Sequence, residues 1–426
     1  MTYDGTTEGR NVGMVIRRLV TLGLLLSVLP SYRRCTAQAA PDPYRARALA
    51  ILKTVPLIDG HNDIPDAIRE RGGLDSVDLA RSQPRLMTDI ARLRAGRVGG
   101  QFWAAYVPVT TMDSNAATRP AVYALEQIDL VYRLCSRNPT ALAMATTAAQ
   151  VERNFAAGKI SCLIGIEGGH AIENSLGALR MFSRLGVRYM TLTHWRTLDW
   201  AVASTDTSHR GLSDVGKQVV LEMNRVGMLV DLSHVNDRTM SDALHTSRAP
   251  VIFSHSSARA LANHPRNVPD SILKLMPANG GVVMVNFNPG FVSEVVRVYE
   301  DSMNSWSRAL RAAGADSALR ADSMRAWQRR GPHATLAQVA DHIEHIRQVA
   351  GVDYVGLGSD LDGISEVPQG LEDVSKFPDL IAELLRRGWT ETDVKNVAGL
   401  NALRVLREAE RVAREMRATP PTPAVR

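Results

Sequence analysis

Eight short apolar runs, alternating with helix-like segments over about 300 residues, predict a (β/α)8 (TIM) barrel. Most of the runs are continuously apolar rather than alternating, as parallel strands buried on both faces require. No Gly-x-Gly-x-x-Gly follows the first run, which counts against a doubly wound open sheet.

In chain order the runs are VPLID (55–59), QFWAAYVPV (101–109), ISCLIGIE (160–167), VRYMTLTH (187–194), GMLVDLSH (227–234), PVIFSH (250–255), GGVVMVNF (280–287) and DYVGLGSD (353–360). Between them, LSDVGKQVVLEMNRV (212–226) spaces its apolar residues for one helical face, with Ser213 as N-cap. TLAQVADHIEHIRQVAG behaves likewise and ends in Gly351, a residue suited to follow a helix. Two regions depart from the alternation. Residues 110–155 form a long helical excursion. Residues 292–332, rich in Arg, Ala, Asp and Ser, predict a solvated helical insertion on the loop side of the barrel, either a lid or a passive hairpin.

The first 39 residues read as a secretory signal peptide. Arg17-Arg18 precede an apolar run from Leu19 to Leu29, and Ala37-Gln38-Ala39 supplies the cleavage pattern. Residues 40–426 would then be a single barrel domain, periplasmic or secreted. No apolar run is long enough for a transmembrane segment, and the end REMRATPPTPAVR has no hydrophobic tail for a GPI anchor. The leader holds five arginines and two acidic residues, so it carries +3 of the net +6. The remaining +3, with no basic stripe interleaved with aromatics, excludes nucleic acid as a partner. Cys135 and Cys162 remain after cleavage. A disulfide between them is left open, and a buried free thiol is the default for Cys162 in its apolar run.

The chemistry collects at the ends of the runs. The first ends in His61 and Asp63, the third in Glu167, the fourth in His194, the fifth in His234, the sixth in His255, and the eighth in Asp360 and Asp362. Barrel enzymes build their sites from such C-terminal strand ends. Four of the eleven histidines stand there. His61 and Asp63, two apart, point the same way on an extended backbone. Three imidazoles and two carboxylates suit zinc or a related first-row ion. A carboxylate such as Glu167 can bridge two ions, which at about 3.5–4 Å apart would share a hydroxide and polarise a carbonyl. His170, His264, the surface-helix residues His245, His342 and His345, and the pair Glu372-Asp373 are expected to stand outside the site. Asp59 has no assigned role.

Seven motifs in this order resemble the membrane dipeptidase (renal dipeptidase) family of zinc peptidases. They are DGHND (59–63), GIEGGH (165–170), LTHW (192–195), DLSH (231–234), FSHSSARAL (253–261), HPRNVPD (264–270) and GLGSDLDG (356–363), and the likeness spans about residues 50–410. The resemblance implies two Zn2+ per chain, one held by His61 and Asp63, the other by His234 and His255, with Glu167 bridging. It implies that His194 stabilises the oxyanion, that Arg266 pairs with the substrate's terminal carboxylate, and that Asp360 is the acid/base. The implied reaction is hydrolysis of a dipeptide, often with a D-residue tolerated at the C-terminal side, and the family admits a homodimer. Two other readings stay open: a barrel hydrolase of lactones, cyclic amides or phosphotriesters, and a non-catalytic metal-binding protein. The first is disfavoured because no lysine ends the third or fourth run.

Overall fold

The computed structural model describes residues 42–418. The leader expected at 1–39 lies outside them. Among the described residues nine strands form, all paired in parallel: β1 (Leu57–Asn62), β2 (Val98–Tyr106), β3 (Leu142–Met144), β4 (Ile160–Glu167), β5 (Val187–Thr191), β6 (Leu229–Asp231), β7 (Ile252–Phe253), β8 (Val282–Val285) and β9 (Val355–Leu357). Eight of them close into a ring, in which β2 pairs with β4 and β9 returns to β1 through Asp59 and Leu357. The fold is the expected (β/α)8 barrel. The ninth strand, β3, was not expected. It borrows the first three residues of β4, below the point where β5 begins.

Each predicted run overlaps one barrel strand, with bounds that shift for local reasons. The second run moves toward the N-terminus and takes in Gly99 and Gly100. A Cβ at Gly99 would meet the Cα of Pro56 at 2.7 Å, so glycine here marks close packing rather than a turn. β6 and β7 are short because a side chain replaces the ladder beyond them. Asp231 Oδ1 accepts the backbone N–H of Ser233 at 3.1 Å and of Ser254 at 2.8 Å, where strand carbonyls would otherwise serve. Residues 232–234 and 254–255 are therefore loop, although they are as buried as the strands.

The helices follow their sequence signals. Asp214–Val226 starts with the Ser213 hydroxyl accepting from Gly216 N and ends at Gly227 with φ 77°. Leu336–Ala350 carries a capping box between Thr335 and Gln338 and stops at Gly351. The excursion at 110–155 contains the helices Pro120–Arg137 and Ala148–Ala156 around β3. The insertion is a pair of helices, Glu294–Ala312 and Ser317–Gln328. Val296 is the one residue buried in the first and none is buried in the second, which fits the solvated composition.

Two expectations fail here. Cys162 is not a free thiol: it forms a disulfide with Cys135, joining β4 to helix Pro120–Arg137. His342 is not on the surface but fully buried. Its Nδ1 accepts from Ala258 N at 3.0 Å and its Nε2 donates to the Val292 carbonyl at 2.9 Å, so one imidazole ties the helix to two loops. The polar residues around His342 in sequence conceal this, because a helix can turn one hydrogen-bonded histidine inward.

Burial lowers the His342 pKa to about 4. The unfolded chain therefore binds this proton first, near pH 6.5. Stability from His342 is complete above pH 6.5 and is lost as the pH falls toward 4. His342→Ala should cost about 1–3 kcal/mol at neutral pH, and the decline in urea stability between pH 6.5 and 4 should be shallower than in the parent.

Candidate metal centre

The ends of the strands deliver the candidate residues to one end of the barrel. His61 is the penultimate residue of β1, Glu167 closes β4, and His194, His234, His255 and Asp360 follow β5, β6, β7 and β9 within three residues. Asp63, Glu167, His194, His234, Arg266 and Asp360 line one pocket, with His61 and His255 beneath it. All are buried except Asp360, which is partly exposed.

Glu167 is the hub. Its Oε1 lies 2.9 Å from His234 Nε2, 3.4 Å from His255 Nε2 and 3.8 Å from His194 Nε2. Its Oε2 lies 3.5 Å from His61 Nε2, which is itself 3.2 Å from Asp63 Oδ2. Three groups of donor atoms are close enough to share an ion: His61, Glu167 and His255; Glu167, His194 and His234; and His61, Asp63 and Asp360.

Hydrogen bonds behind the imidazoles show what these atoms are prepared for. Ser254 Oγ lies 2.6 Å from Asp231 Oδ2 and 2.7 Å from His255 Nδ1. Asp231 also accepts from Thr191 Oγ1 at 2.6 Å and from two backbone N–H groups, as an ionised carboxylate does. Ser254 must then donate to Asp231 and accept from His255 Nδ1–H. The Nε2 of His255 then carries a lone pair, which faces Glu167 and lies within hydrogen-bonding distance, 3.0 Å, of His234 Nε2. His61 Nδ1 rests 2.8 Å from the Tyr189 hydroxyl, and its buried Nε2 has no hydrogen-bond partner. Lone pairs packed against carboxylate oxygens repel; a cation among them converts the repulsion to ligation. The residues present fit a metal, in the manner of outer groups that orient ligating histidines.

The charge states agree. Burial lowers the pKa of His234 and His255 far below the ordinary histidine value, so both rings are neutral, whereas at His61 burial is outweighed by Tyr189, Asp63 and Glu167, which hold it well above that value. Burial pushes the Glu167 carboxyl up, but the surrounding imidazoles, His61 foremost, outweigh it and hold the group well below the usual carboxylate range. Burial also lowers His194 to about 4 and raises Asp360. The Asp360 Oδ2 accepts from Asn286 Nδ2 at 2.9 Å, and its backbone N–H donates to the His61 carbonyl at 3.1 Å. Both Asp360 and His234 adopt positive φ, 63° and 70°, a strain stored where the chain must aim a side chain inward.

Arg266 is 1% exposed, and no carboxylate among the described residues lies within ion-pairing distance of it. Its Nη1 donates to Ser256 Oγ and its Nη2 to the His255 carbonyl, both at 3.2 Å, while Nε has no partner. Burial lowers its pKa to about 10, so it remains a cation at neutral pH. A buried, unpaired cation lining a pocket is prepared for an anion.

The residues set aside stay apart from these groups. His170 Nε2 bonds to the Val107 carbonyl, His264 Nδ1 accepts from Arg266 N, His245 is exposed, and His345 pairs with Asp270. Glu372 is exposed and Asp373 caps a short 3-10 turn. Asp362, by contrast, lines the same pocket as Asp360, and its carboxylate accepts from Met87 N. Sequence reading missed Tyr106, whose ring stands edge-on to His194 at 5.0 Å, and the supporting acids Asp59 and Asp231. The usable signal was position: each acid precedes a strand-end histidine, in DGH and DLSH, and is fully buried.

A profile of the family described as "Membrane dipeptidase (Peptidase family M19)" matches residues 45–420. The chain is 42% identical to Dipeptidase 3 of Rattus norvegicus over 380 residues, 87% of this chain and 69% of that protein. It is 41% identical to Dipeptidase verJ of Clonostachys rogersoniana over 388 residues, 89% of this chain and 90% of that one. Among solved structures it resembles a metallo peptidase from Rhodobacter sphaeroides liganded with a phosphinate mimic of the dipeptide L-Ala-D-Ala, with TM-score 0.69 and 26% identity over 83% of this chain and 99% of the other. With this coverage and a donor cluster prepared for metal at the mouth of the barrel, the chain belongs to the membrane dipeptidase family, peptidase family M19, and is a metallo-dipeptidase.

Proposed function

We propose that the chain hydrolyses dipeptides with two zinc ions held by His61, Asp63, Glu167, His234 and His255. The observation that carries this reading is the division of Glu167: Oε2 faces His61, whereas Oε1 faces His234 and His255. One carboxylate with an imidazole set on each oxygen suits a bridge between two ions. The imidazole-rich donor set favours zinc over calcium or magnesium. When bound, the ions supply the positive charge that polarises the scissile carbonyl and makes water nucleophilic near neutral pH.

The remaining steps belong to the side chains. Arg266 receives the substrate's terminal carboxylate, which supplies its missing anionic partner and fixes the dipeptide's direction in the pocket. His194, neutral at working pH, offers an N–H to the oxygen that gains charge as the carbonyl is attacked. Asp360 accepts the proton released by water and passes it to the departing amine. Its raised pKa brings it closer to the range in which a carboxyl both takes and gives a proton. The match to a neighbour that holds an L-Ala-D-Ala mimic supports tolerance of a D-residue at the C-terminal position.

We also propose that residues 1–39 are cleaved, leaving 40–426 as a single domain outside the cytoplasm. The Cys135–Cys162 disulfide supports an oxidising compartment. No helix among the described residues is long and apolar enough to cross a membrane.

Three measurements test these roles. Elemental analysis should find about two zinc ions per chain, and a chelator should abolish cleavage of both L-Ala-D-Ala and L-Leu-L-Leu; activity that survives metal removal would sink the reading. Asp360→Asn should retain its metal and lose about 10²–10⁴-fold in kcat, so unchanged turnover removes Asp360 from proton transfer. Arg266→Lys keeps the charge but not the fork. It should raise KM about tenfold for free dipeptides while scarcely affecting a dipeptide with an amidated C-terminus.

A further inference from the structure

The insertion does more than cover the surface. On helix Glu294–Ala312, Val296, Tyr299, Glu300 and Met303 fall at i, i+3, i+4 and i+7, one helical face. That face forms a wall of a cavity of about 120 Å³, completed by the end of the insertion near Pro332, by Asn288 and Pro289, and by Ser365–Val367. The volume equals about four waters, which a four-carbon stem with an ammonium group fills. Tyr299 holds the wall in place, its hydroxyl donating to the Trp327 carbonyl at 2.8 Å and its ring packing 5.1 Å from the Trp327 ring.

This cavity lies beside the substrate pocket. Asn288 lines both. The same two segments separate them: Phe291 and Ile364 face the metal-centre side, while Pro289 and Ser365–Val367 face the cavity. Asn288 N donates to Asn286 Oδ1 at 2.5 Å, and Asn286 holds Asp360, so the shared residue is one hydrogen-bonded step from the reacting end. The Arg266 guanidinium lies 5.4 Å from the Phe291 ring, over the same turn. A side chain on the residue whose carboxylate rests on Arg266 would reach the cavity by passing Asn288, the lining residue that the two share.

The cavity has a defined chemistry. Its stem region is apolar, from Val296, Met303, Pro289, Pro332 and Val367. It contains two carboxyl groups, Glu300 and Glu366, and no lysine or arginine. Glu300 is partly buried and has no hydrogen bond or ion pair among the described residues. Gly290 makes room for it, since a Cβ there would overlap Glu300 Oε2. Burial, with Asp301 and Glu366 beside it, raises Glu300 to about 7, the mark of a carboxyl lacking a cation.

We propose that this cavity is a specificity pocket for a cationic side chain, such as lysine, on the C-terminal residue of the dipeptide, with Glu300 as its ionic partner. The proposal rests on the dipeptidase reading and on Arg266 taking the substrate carboxylate. A charge-assisted contact in a half-covered site predicts about a tenfold preference.

The test uses the metal-loaded full-length enzyme and two matched substrates, L-Ala-L-Lys and L-Ala-L-norleucine, which differ at the side-chain end by the ammonium group. The ratio of their kcat/KM values should be about ten in the parent, carried by KM because the contact is remote from the reacting bond. Glu300→Gln should bring the ratio near one, and Glu300→Lys should bring it below one. With the order reversed, in L-Lys-L-Ala and L-norleucyl-L-Ala, the ratio should not respond to Glu300. A parental ratio near one, or a ratio that Glu300→Gln leaves unchanged, overturns the pocket and leaves the dipeptidase reading standing. A Glu300 effect confined to the reversed pair overturns the assignment to the C-terminal residue. Failure to cleave any of the four dipeptides overturns the dipeptidase reading together with the pocket.

Discussion

The seam between β1 and β9 is the constraint on which the site depends. Ring closure brings His61 and Asp63 beside Asp360, about 300 residues away in sequence. The backbone contributes little there, one registered pair between Asp59 and Leu357. The Asp59 side chain extends it, accepting from Ser359 N and Oγ, both at 2.7 Å, and from Gln101 Nε2 at 2.9 Å. Beyond this staple the two chains run on together, through Asp360 N to the His61 carbonyl and Asp63 N to the Leu361 carbonyl. Asp59 is thus no ligand. It aligns the strands that carry candidate ligands, at the cost of burying a carboxyl whose pKa burial raises to about 6.

The same device recurs on the opposite side of the ring. Asp231 accepts from Ser254 N and Oγ much as Asp59 accepts from Ser359, and both acids stand just ahead of a strand-end histidine. β6 and β7 can consequently be very short without leaving buried N–H groups unpaired. Short strands matter because the chain must leave the ladder early to turn His234 and His255 across the barrel mouth. Each staple therefore links secondary structure to chemistry: a carboxylate on one strand fixes a serine on its neighbour, and that serine immediately precedes His255 in one case and Asp360 in the other.

Electrostatics divide the pocket by depth. Deep in the barrel, the neutral imidazoles of His234 and His255 and the ring of His61, held toward its cationic form, surround an ionised carboxylate, a cluster of donor atoms that suits cations. In the same pocket, Arg266 lacks an anion. Farther out, Glu300 lacks a cation. Three uncompensated charges at successive positions would be costly in a purely structural region, and together they describe a ligand with a terminal carboxylate and a scissile carbonyl beside it.

The strands could be located from local information, because continuous apolar runs that end in polar metal-capable residues are a short-range pattern. So were the identities of His61, Asp63, Glu167, His194, His234, His255 and Asp360 as candidates, since a barrel sends every strand end to one face. What lay beyond local reading depends on contacts between distant segments. Glycines concealed the start of β2, because close packing against Pro56 leaves no trace in periodicity. His342 looked superficial, since its partners, Ala258 and Val292, lie on other loops. Cys135 and Cys162 meet only because the excursion folds back on β4. Residue types and their order were written in the chain; which imidazole faces which oxygen of Glu167, and which carboxyl is left without a partner, follow from closure of the ring.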